Sequence, residues 1–503
     1  MQNYQEKYQE LLGLLGRADD LARAAGLLEW DQQTYMPAGG AAARAGQLAT
    51  LRGLAHETFT SPRVGELLQE LAPWAEEQGD ESTPANLIRV VTRDYERERK
   101  LPASLVAEKA EAVGLAMDAW QRAKRSADFS FFQPHLERLV ELNVAEAEAL
   151  GYEGERYDAL VDRYEPGMKT SLLLEVFGRL ERELAPLVRS VFALGPRPDP
   201  LAGKVFPAGA QLTFGRELLT AMGFDFDRGR LDQSEHPFTS GFAPGDVRVT
   251  THVYETSPLS NIFAVIHEGG HALYEQGLPS EYARTPLGNA ASLGVHESQS
   301  RLWENVIGRS RPFWEYFYPR LRAFFPSQLD EVSLEDFLRV INRVQPALIR
   351  IEADELTYNL HIILRFHLER ELLNGTVRAG DLPGLWRERM EKYLGIVPKN
   401  DAEGVLQDVH WAAGLIGYFP AYTLGNIIAG QLYALMTDEL PGLNDEIKAG
   451  NLAVVKQWLN RKVHVHGAKY EPAELVRRVT GTDLDIEPYL GYLKGKLAEY
   501  YGV

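Results

Sequence analysis

Apolar side chains recur at intervals of three and four residues along most of this chain, the spacing that places one apolar stripe on an α-helix. The pattern predicts amphipathic helices over residues 4–28, 64–77, 103–126, 134–150, 170–193, 332–373, 383–395, 443–461 and 471–480. Breakers rich in proline and glycine separate these helices, and the best candidate for a linker is the segment 195–200. Similar helical patterns lie on both sides of it, so we predict a mostly α fold.

A different pattern occupies residues 246–254, where β-branched side chains are frequent and polar and apolar positions alternate. This segment follows the turn-like sequence Ala243-Pro244-Gly245. The alternation predicts a strand, in a small antiparallel sheet beside the helices.

The composition narrows the chemistry available to the 503 residues. The chain has no cysteine, which excludes a cysteine nucleophile and an all-thiolate zinc site, so any metal must be held by histidine and carboxylate. With 53 Lys and Arg against 71 Asp and Glu, the formal net charge is −18. Phosphate backbones and anionic membranes repel such a chain, so we expect neither nucleic acid nor a membrane as a partner.

The stretch from Trp411 to Met436 carries no charged residue and is long enough to raise the question of a membrane span. Pro420 and several glycines interrupt it, which favours a buried, broken helical segment. Residues 1–7 lack a basic region followed by an apolar core, so no secretory signal is expected and we predict a cytoplasmic protein.

The strongest chemical signal lies at residues 267–271, which read His-Glu-Gly-Gly-His. On a helix, His267 and His271 project from one face and can hold one ion, while Glu268 can reach a water molecule at that ion. Zinc lowers the pKa of a bound water to near 7, and a carboxylate then takes its proton as the water attacks a carbonyl. The motif therefore predicts a hydrolytic metal site.

The flanking residues predict the helix that carries this motif. Ser257 is placed as its N-cap, Pro258 at its first position and Gly277 as its C-terminal cap. Gly269 and Gly270 are costly inside a helix, which indicates that another backbone or the substrate approaches closely there. The alternative is a structural helix with two core histidines.

A catalytic zinc site of this kind needs a third ligand on a neighbouring element. Glu297, 26 positions after His271 on another predicted helix, is the candidate, and an exposed surface charge is the alternative. His296 is adjacent in sequence but is expected to point elsewhere on that helix.

Five segments of the chain recur in the same order in one family of metallopeptidases. They read Asp246-Val247-Arg248-Val249-Thr250, His267-Glu268-Gly269-Gly270-His271, His296-Glu297-Ser298-Gln299, Ile349-Arg350-Ile351-Glu352-Ala353-Asp354 and Gly404-Val405-Leu406-Gln407-Asp408-Val409-His410-Trp411. Through them the chain resembles the carboxypeptidase Taq family. Residues 30–37 also resemble that family, so the likeness covers nearly the whole chain.

The resemblance implies one mostly helical body over residues 1–503, with two helical halves flanking a deep active-site groove, as in the neurolysin and angiotensin-converting-enzyme peptidases. Family members remove single residues from peptides with a free C-terminus and tolerate many side chains. They use Zn²⁺, or Co²⁺ in some preparations, and are typically homodimers. We therefore expect a zinc-dependent metallocarboxypeptidase with one ion per chain.

The resemblance also implies roles for individual residues. His267, His271 and Glu297 match the metal ligands, and Glu268 matches the general base. Arg350 matches the residue that holds the substrate carboxylate, and Arg248 is a second candidate. A guanidinium suits this role because it donates two parallel hydrogen bonds to a carboxylate; a surface ion pair on a long helix is the alternative for Arg350.

Further roles follow from two related observations. The related peptidases use a His and a Tyr at a similar spacing to stabilise the oxyanion. The matching residues here are His410 with Tyr422 or Tyr418. The alternative is that these side chains are only aromatic residues of the core. Arg301 stands where some related enzymes have an acid that orients a ligand histidine, so Asp354 or Asp408 could serve instead. His464 and His466 are expected to be structural.

Two rival functions share these residues. The first is an endo-acting oligopeptidase with the same metal site, which would cleave peptides with free and amidated C-termini equally well. The second is an inactive helical scaffold that binds a peptide partner. A complete metal motif with an available third carboxylate argues against the scaffold.

Overall fold

The computed structural model describes residues 2–503 and is mostly helical. The predicted helices at 4–28, 64–77, 103–126, 134–150 and 170–193 are all present, with ends shifted by at most six residues. The helices are α1 (Gln2–Thr34), α2 (Ala41–Phe59), α3 (Pro62–Glu77), α4 (Thr83–Lys100), α5 (Ala103–Ser126), α6 (Gln133–Leu150), α7 (Arg156–Val161), α8 (Thr170–Phe192), α9 (Ala208–Met222), α10 (Pro258–Gly277), α11 (Leu293–Arg301), α12 (Arg311–Phe324), α13 (Pro326–Leu329), α14 (Leu334–Ile341), α15 (Glu355–Leu373), α16 (Leu382–Leu394), α17 (Pro420–Glu439), α18 (Leu443–Lys448), α19 (Ala453–Lys462), α20 (Pro472–Thr480) and α21 (Glu487–Tyr501).

Three strands, β1 (Gly229–Gln233), β2 (Thr239–Ala243) and β3 (Asp246–Thr251), form a sheet in the order β1-β3-β2. The tight connection at Pro244-Gly245 makes β2 and β3 antiparallel, as predicted. However, β1 pairs with β3 in parallel, so the sheet is mixed rather than purely antiparallel. Residues 234–245, which include β2, form the long crossover that a parallel pair requires.

The described chain divides into two compact units. Unit 1 contains the residues up to Arg99, Pro200–Ile341 and Leu432–Asp483, and unit 2 contains Lys100–Asp199, Asn342–Gln431 and Leu484–Val503. The chain passes from unit 2 to unit 1 between Asp199 and Pro200, inside the segment predicted as a linker. The prediction of one domain over residues 1–503 stays a prediction.

Each unit buries its own apolar side chains. In unit 1, one cluster joins α1, α3 and α4 through side chains that include Leu11, Leu67 and Val91. In unit 2, a large cluster surrounds α15, whose side chains are nearly all buried. Because the side chains of α15 are buried on nearly every side, this helix lies inside its unit and not at its surface.

The single helix predicted over residues 332–373 is wrong. The structure has α14 and α15 there, separated by residues 342–354. Pro346 has no backbone N–H to continue a helix, and the Asp354 carboxylate accepts bonds from the backbone N–H of Leu356 and Thr357 as the N-cap of α15. The predicted helix over 443–461 is likewise divided, into α18 and α19, with Gly450 between them at a positive φ of 81°.

The uncharged stretch from Trp411 to Met436 is broken as expected: it runs through turns before α17 begins at Pro420. Within residues 2–503, the helices are all too short or too polar to cross a bilayer.

Candidate metal centre

α10 carries the His-Glu-x-x-His motif on a largely buried helix of unit 1. It begins at Pro258 after Ser257, as predicted, although the Ser257 side chain makes no capping bond. Gly277 is its last residue, and a Cβ there would lie 2.4 Å from Nδ1 of His464, so this glycine permits a close contact rather than a left-handed cap. The rings of His267 and His271 lie side by side, with centroids 5.0 Å apart.

Glu297 on α11 completes a group of three potential ligands. Its Oε2 lies 3.9 Å from Nε2 of His267 and 3.5 Å from Nε2 of His271. The ligating atoms of the three residues all lie within 4.8 Å of one another. The Nδ1 atoms of both rings are engaged elsewhere, which leaves the two Nε2 atoms and the carboxylate facing one point. Two imidazoles and one carboxylate are the donor set of catalytic zinc sites, so these residues fit a divalent cation.

The glycines of the motif allow α11 and α9 to approach α10. A Cβ at Gly270 would lie 2.6 Å from Cα of Ser300, on the backbone of α11, so α11 approaches at glycine distance. A Cβ at Gly269 would instead meet the ends of the Leu219 and Met222 side chains of α9. The predicted close approach of another backbone is therefore found at Gly270, and it sets the position of Glu297.

A second carboxylate, which the sequence did not reveal, orients His267. Glu304 lies in a π-helical segment, Leu302–Ile307, that continues α11, and its Oε2 is 2.8 Å from Nδ1 of His267. The proposed alternatives Asp354 and Asp408 are not found in this role, because their carboxylates are engaged within unit 2. π-Helical turns occur often at functional sites.

Arg301 neutralises part of this negative charge. Its Nε donates to Oε1 of Glu297 over 2.6 Å, while its Nη1 lies 3.5 Å from Glu304. Burial alone would raise the pKa of Glu297, but Arg301 and the two histidines hold it far below its usual value. The carboxylate is thus ionised, as a ligand must be.

His296 is not part of the three-ligand group, in agreement with the sequence analysis. Its Nδ1 lies 2.6 Å from Nδ1 of His271, and its Nε2 lies 2.8 Å from Oε1 of Glu275. A chain of hydrogen bonds therefore leads from His271 to a carboxylate.

Glu268 is buried beside β2. Its Oε2 lies 2.8 Å from the hydroxyl of Thr239. Burial raises its pKa, and His267 and the Thr239 hydroxyl offset part of that effect. A carboxylate with a raised pKa is a stronger proton acceptor, which suits a general base.

Arg350 lies in unit 2, in a short 3₁₀ turn and not on the long helix considered above. It is buried, and its Nε and Nη2 donate to Oδ1 of Asp408 over 3.0 and 2.8 Å, while its Nη1 donates to the Tyr358 hydroxyl. Arg365 of α15 holds the other oxygen of Asp408. Burial would raise the pKa of Asp408, but Arg365 and Arg350 hold it well below its usual range.

The C-terminal half of α15 also holds the segment 401–419 in place. Its Glu369 carboxylate accepts bonds from the Trp411 indole and from the backbone N–H of Gly417. Arg365, one turn earlier on the same helix, binds Gln407 as well as Asp408. The segment that carries His410 is therefore anchored at two points by one helix.

His410 and Tyr422 are brought together in unit 2, where Nε2 of the histidine lies 3.1 Å from the tyrosine hydroxyl. Tyr418 is also near, with its ring centroid 5.3 Å from that of His410. Burial lowers the pKa of His410 to about 3, so its imidazole is neutral at ordinary pH. Arg350 lies over the ring of Tyr422 at 4.9 Å, so these predicted residues form one cluster.

The remaining candidates make other contacts. Arg248 donates from Nε and Nη2 to Asp246 and lies over the Trp30 ring at 4.4 Å. His464 is buried between Asn460 and Gln299. His466 packs on Tyr470, so neither histidine belongs to the three-ligand group.

Comparison with known families matches residues 10–497 to one family, described as carboxypeptidase Taq (M32) metallopeptidase. The chain belongs to this family. The resemblance drawn from the five sequence segments is thereby confirmed.

Relatives within the family match over almost their whole length. The chain is 44% identical to thermostable carboxypeptidase 1 of Thermus thermophilus, over 98% of this chain and 99% of the relative. It is 39% identical to carboxypeptidase 1 of Bacillus subtilis, over 98% of both chains. The crystal structure of the M32 carboxypeptidase from Deinococcus radiodurans R1 superposes with a TM-score of 0.95 at 39% identity, covering 99% of this chain and 100% of that one.

Membership of this family makes the protein a metallocarboxypeptidase, and hence a peptide hydrolase that depends on a divalent metal. The exopeptidase interpretation is supported over the endo-acting alternative, because the relatives are carboxypeptidases. The mostly helical fold is confirmed as well.

Proposed function

We propose that the protein is a zinc-dependent carboxypeptidase that removes single residues from peptides with a free C-terminus and tolerates many side chains. His267, His271 and Glu297 hold one ion, and Glu268 is the general base. The observation that carries this proposal is the convergence of the three ligating side chains within 4.8 Å. A Co²⁺ ion could replace Zn²⁺ on the same ligands.

The buried carboxylate of Glu268 performs the proton transfers. A bound divalent ion would supply Lewis-acid chemistry, polarising the scissile carbonyl and acidifying a water molecule. Glu268 takes the proton of the attacking water and later gives it to the leaving amine. Thr239, hydrogen bonded to Oε2, holds the carboxylate in one orientation.

Arg350 is proposed to bind the C-terminal carboxylate of the substrate. A guanidinium has five N–H donors, and Asp408 and Tyr358 receive three of them. One N–H on each terminal nitrogen is left, which is the fork that a carboxylate accepts. Arg248 stays the second candidate, and its Nε and Nη2 already donate to the Asp246 carboxylate.

His410 and Tyr422 are proposed to stabilise the oxyanion of the transition state. Both are neutral donors that lie within hydrogen-bond distance of each other. Neutral donors aimed at a developing negative charge stabilise it by a few kcal/mol (about 3–4 for one donor). Whether Tyr418 replaces Tyr422 in this role is decided by comparing the phenylalanine variants of the two.

The decisive experiment compares two peptides of the same sequence, one with a free C-terminus and one amidated. Mass spectrometry is expected to show stepwise loss of single C-terminal residues from the first peptide and no comparable cleavage of the second. Equal internal cleavage of both would establish the endo-acting alternative. The absence of any cleavage by metal-loaded protein would establish the scaffold alternative.

Zinc, the homodimer and the cytoplasmic location stay predictions. Metal analysis of protein purified without added metal is expected to give one zinc per chain. Sedimentation is expected to give the mass of two 56.4 kDa chains. Cell fractionation is expected to recover the enzyme in the cytoplasm.

A further inference from the structure

The two histidines of the metal motif are held in different ways. Nδ1 of His267 meets the carboxylate of Glu304 directly, at 2.8 Å. Nδ1 of His271 meets another imidazole, that of His296, whose far nitrogen meets the carboxylate of Glu275. One ligand is thus oriented by a carboxylate and the other by a relay of two residues.

The protons along this relay are fixed by elimination. A neutral imidazole that offers Nε2 to a metal carries its proton on Nδ1. His271 must then donate from Nδ1, so Nδ1 of His296 accepts and its own proton sits on Nε2. That proton points to Oε1 of Glu275, which as a carboxylate can only accept. Each atom of the relay therefore has one assigned role.

The packing around the relay holds it in this arrangement. Glu275 lies four residues after His271 on α10, so the two side chains share one face of the helix. A Cβ at Gly241 of β2 would lie 2.2 Å from the Glu275 carboxylate, so a larger residue there would displace this side chain. Tyr274 packs against the ring of His296 at 5.2 Å. The relay is enclosed by α10, α11 and β2.

We propose that His296 and Glu275 are positioning residues that hold the His271 ring, and its proton, in the state that binds the metal. The proposal rests on the metal-ligand role given to His271 above. Neither residue belongs to the three-ligand group. Their effect reaches the reaction through the orientation of one ligand, so metal affinity is the quantity that reports it.

The test compares two variants of equal size, His296→Leu and His296→Asn. Both remove the ring, but Asn keeps an amide oxygen near the position of Nδ1, which can accept from His271. Competition for Zn²⁺ against a coloured chelator measures the dissociation constant of each. We expect His296→Leu to weaken Zn²⁺ binding by about 10- to 100-fold, as other supporting residues of metal ligands do, and His296→Asn to recover most of that loss.

A matched control is available in His464. It is buried, and its ring stacks on that of Tyr274 with centroids 4.9 Å apart. His464→Phe is expected to change the thermal stability without changing the affinity for Zn²⁺. Equal affinities of the wild type, His296→Leu and His296→Asn would overturn the proposal, and so would an equal loss in His464→Phe.

The second link of the relay gives an independent measurement if His296→Leu does not fold. Glu275→Gln keeps an acceptor for His296, whereas Glu275→Leu does not, so only the leucine variant should lose Zn²⁺ affinity. The same affinity in both would overturn the proposal. If wild-type protein binds no Zn²⁺ at all, the proposed function fails; if it binds and the variants match it, only the relay fails.

Discussion

The two units bury clusters of opposite charge. Around the metal ligands of unit 1, Glu297 and Glu304 pair with Arg301 and Arg309, whereas Glu268 accepts from the Thr239 hydroxyl and Glu275 meets His296. In unit 2, Arg350 and Arg365 share the single carboxylate of Asp408. The buried cluster of unit 1 therefore has an excess of negative charge, and the buried cluster of unit 2 an excess of positive charge.

A buried charge that its neighbours do not balance is costly, and it persists where a ligand of the opposite sign completes it. The excess in unit 1 suits a divalent cation, whereas that in unit 2 suits the carboxylate of a peptide. The difference between the clusters thus indicates the sign of the charge that each would bind.

The largest effect is expected from Glu268→Gln, which keeps the size of the side chain in unit 1 but removes its basicity. Turnover should fall by about 10²- to 10⁴-fold, the typical contribution of a general base, while metal analysis still finds about one ion per chain. Glu281→Gln, an exposed change in the same unit, is the control. Retained hydrolysis would remove Glu268 from this role.

Arg350→Ala tests the positive cluster of unit 2. Losing a buried partner of a charged group should cost about 2–4 kcal/mol, or roughly 30- to 1000-fold in kcat/KM for peptides with a free C-terminus. Metal content should not change. Arg387→Ala removes an exposed arginine that pairs with Asp401 in the same unit and should leave the kinetics as they are. An unaltered preference for free over amidated peptides would contradict the assignment.

A smaller effect is expected from Gly270→Ala, which pushes α11 away from the negative cluster. Its Cβ would meet backbone atoms of Ser300 and Gln299 within 2.7 Å, so stability should fall by about 1–3 kcal/mol, along with Zn²⁺ affinity. Gly269→Ala meets only flexible side-chain ends and should cost less. Gly13→Ala, in open space on α1, should slightly raise the melting temperature. Equal melting temperatures for the two motif variants would show that the contact with α11 is not limiting.

The smallest effect concerns pH and belongs to unit 2. Burial raises the pKa of Glu369 to about 7, so the folded protein holds a proton that the unfolded chain has lost above its ordinary value of 4.5. The contribution of Glu369 to the stability of the wild type should therefore decline as pH rises from 4.5 to 7. Glu369→Gln has no such proton, so the difference in melting temperature between the wild type and this variant should shift against the wild type over this range. Parallel curves for the two proteins would contradict the raised pKa.

The sequence predicted those parts of the site that depend on local geometry. Two histidines four residues apart on a helix share a face in any fold, so His267 and His271 could be paired without a structure. Glu297 required the family motif, because nothing local links it to α10. Glu304 was missed, since its contact with His267 depends on the π-helical segment, which no simple periodicity predicts.

The helical pattern predicted most helices but not the breaks within long apolar stretches. The segment between α14 and α15 was predicted to be helical because its side chains keep helical spacing. Arg350 was therefore expected on a long helix. The bonds of Gln407 to the backbone of Arg350 and Leu348 are tertiary contacts that a local pattern cannot reveal, and the Asp354 N-cap then begins α15. β1 and β2 were missed as well, because strands of five residues with few β-branched side chains give little signal.

The double anchoring of residues 401–419 by α15 limits how this part of the enzyme can be engineered. Arg365 and Glu369 reach the segment from successive turns of one helix, and they replace the regular backbone bonding that the segment lacks. Grafting the segment alone into another scaffold would therefore leave His410 without a defined position. A graft that keeps the position of His410 has to include α15 together with residues 401–419.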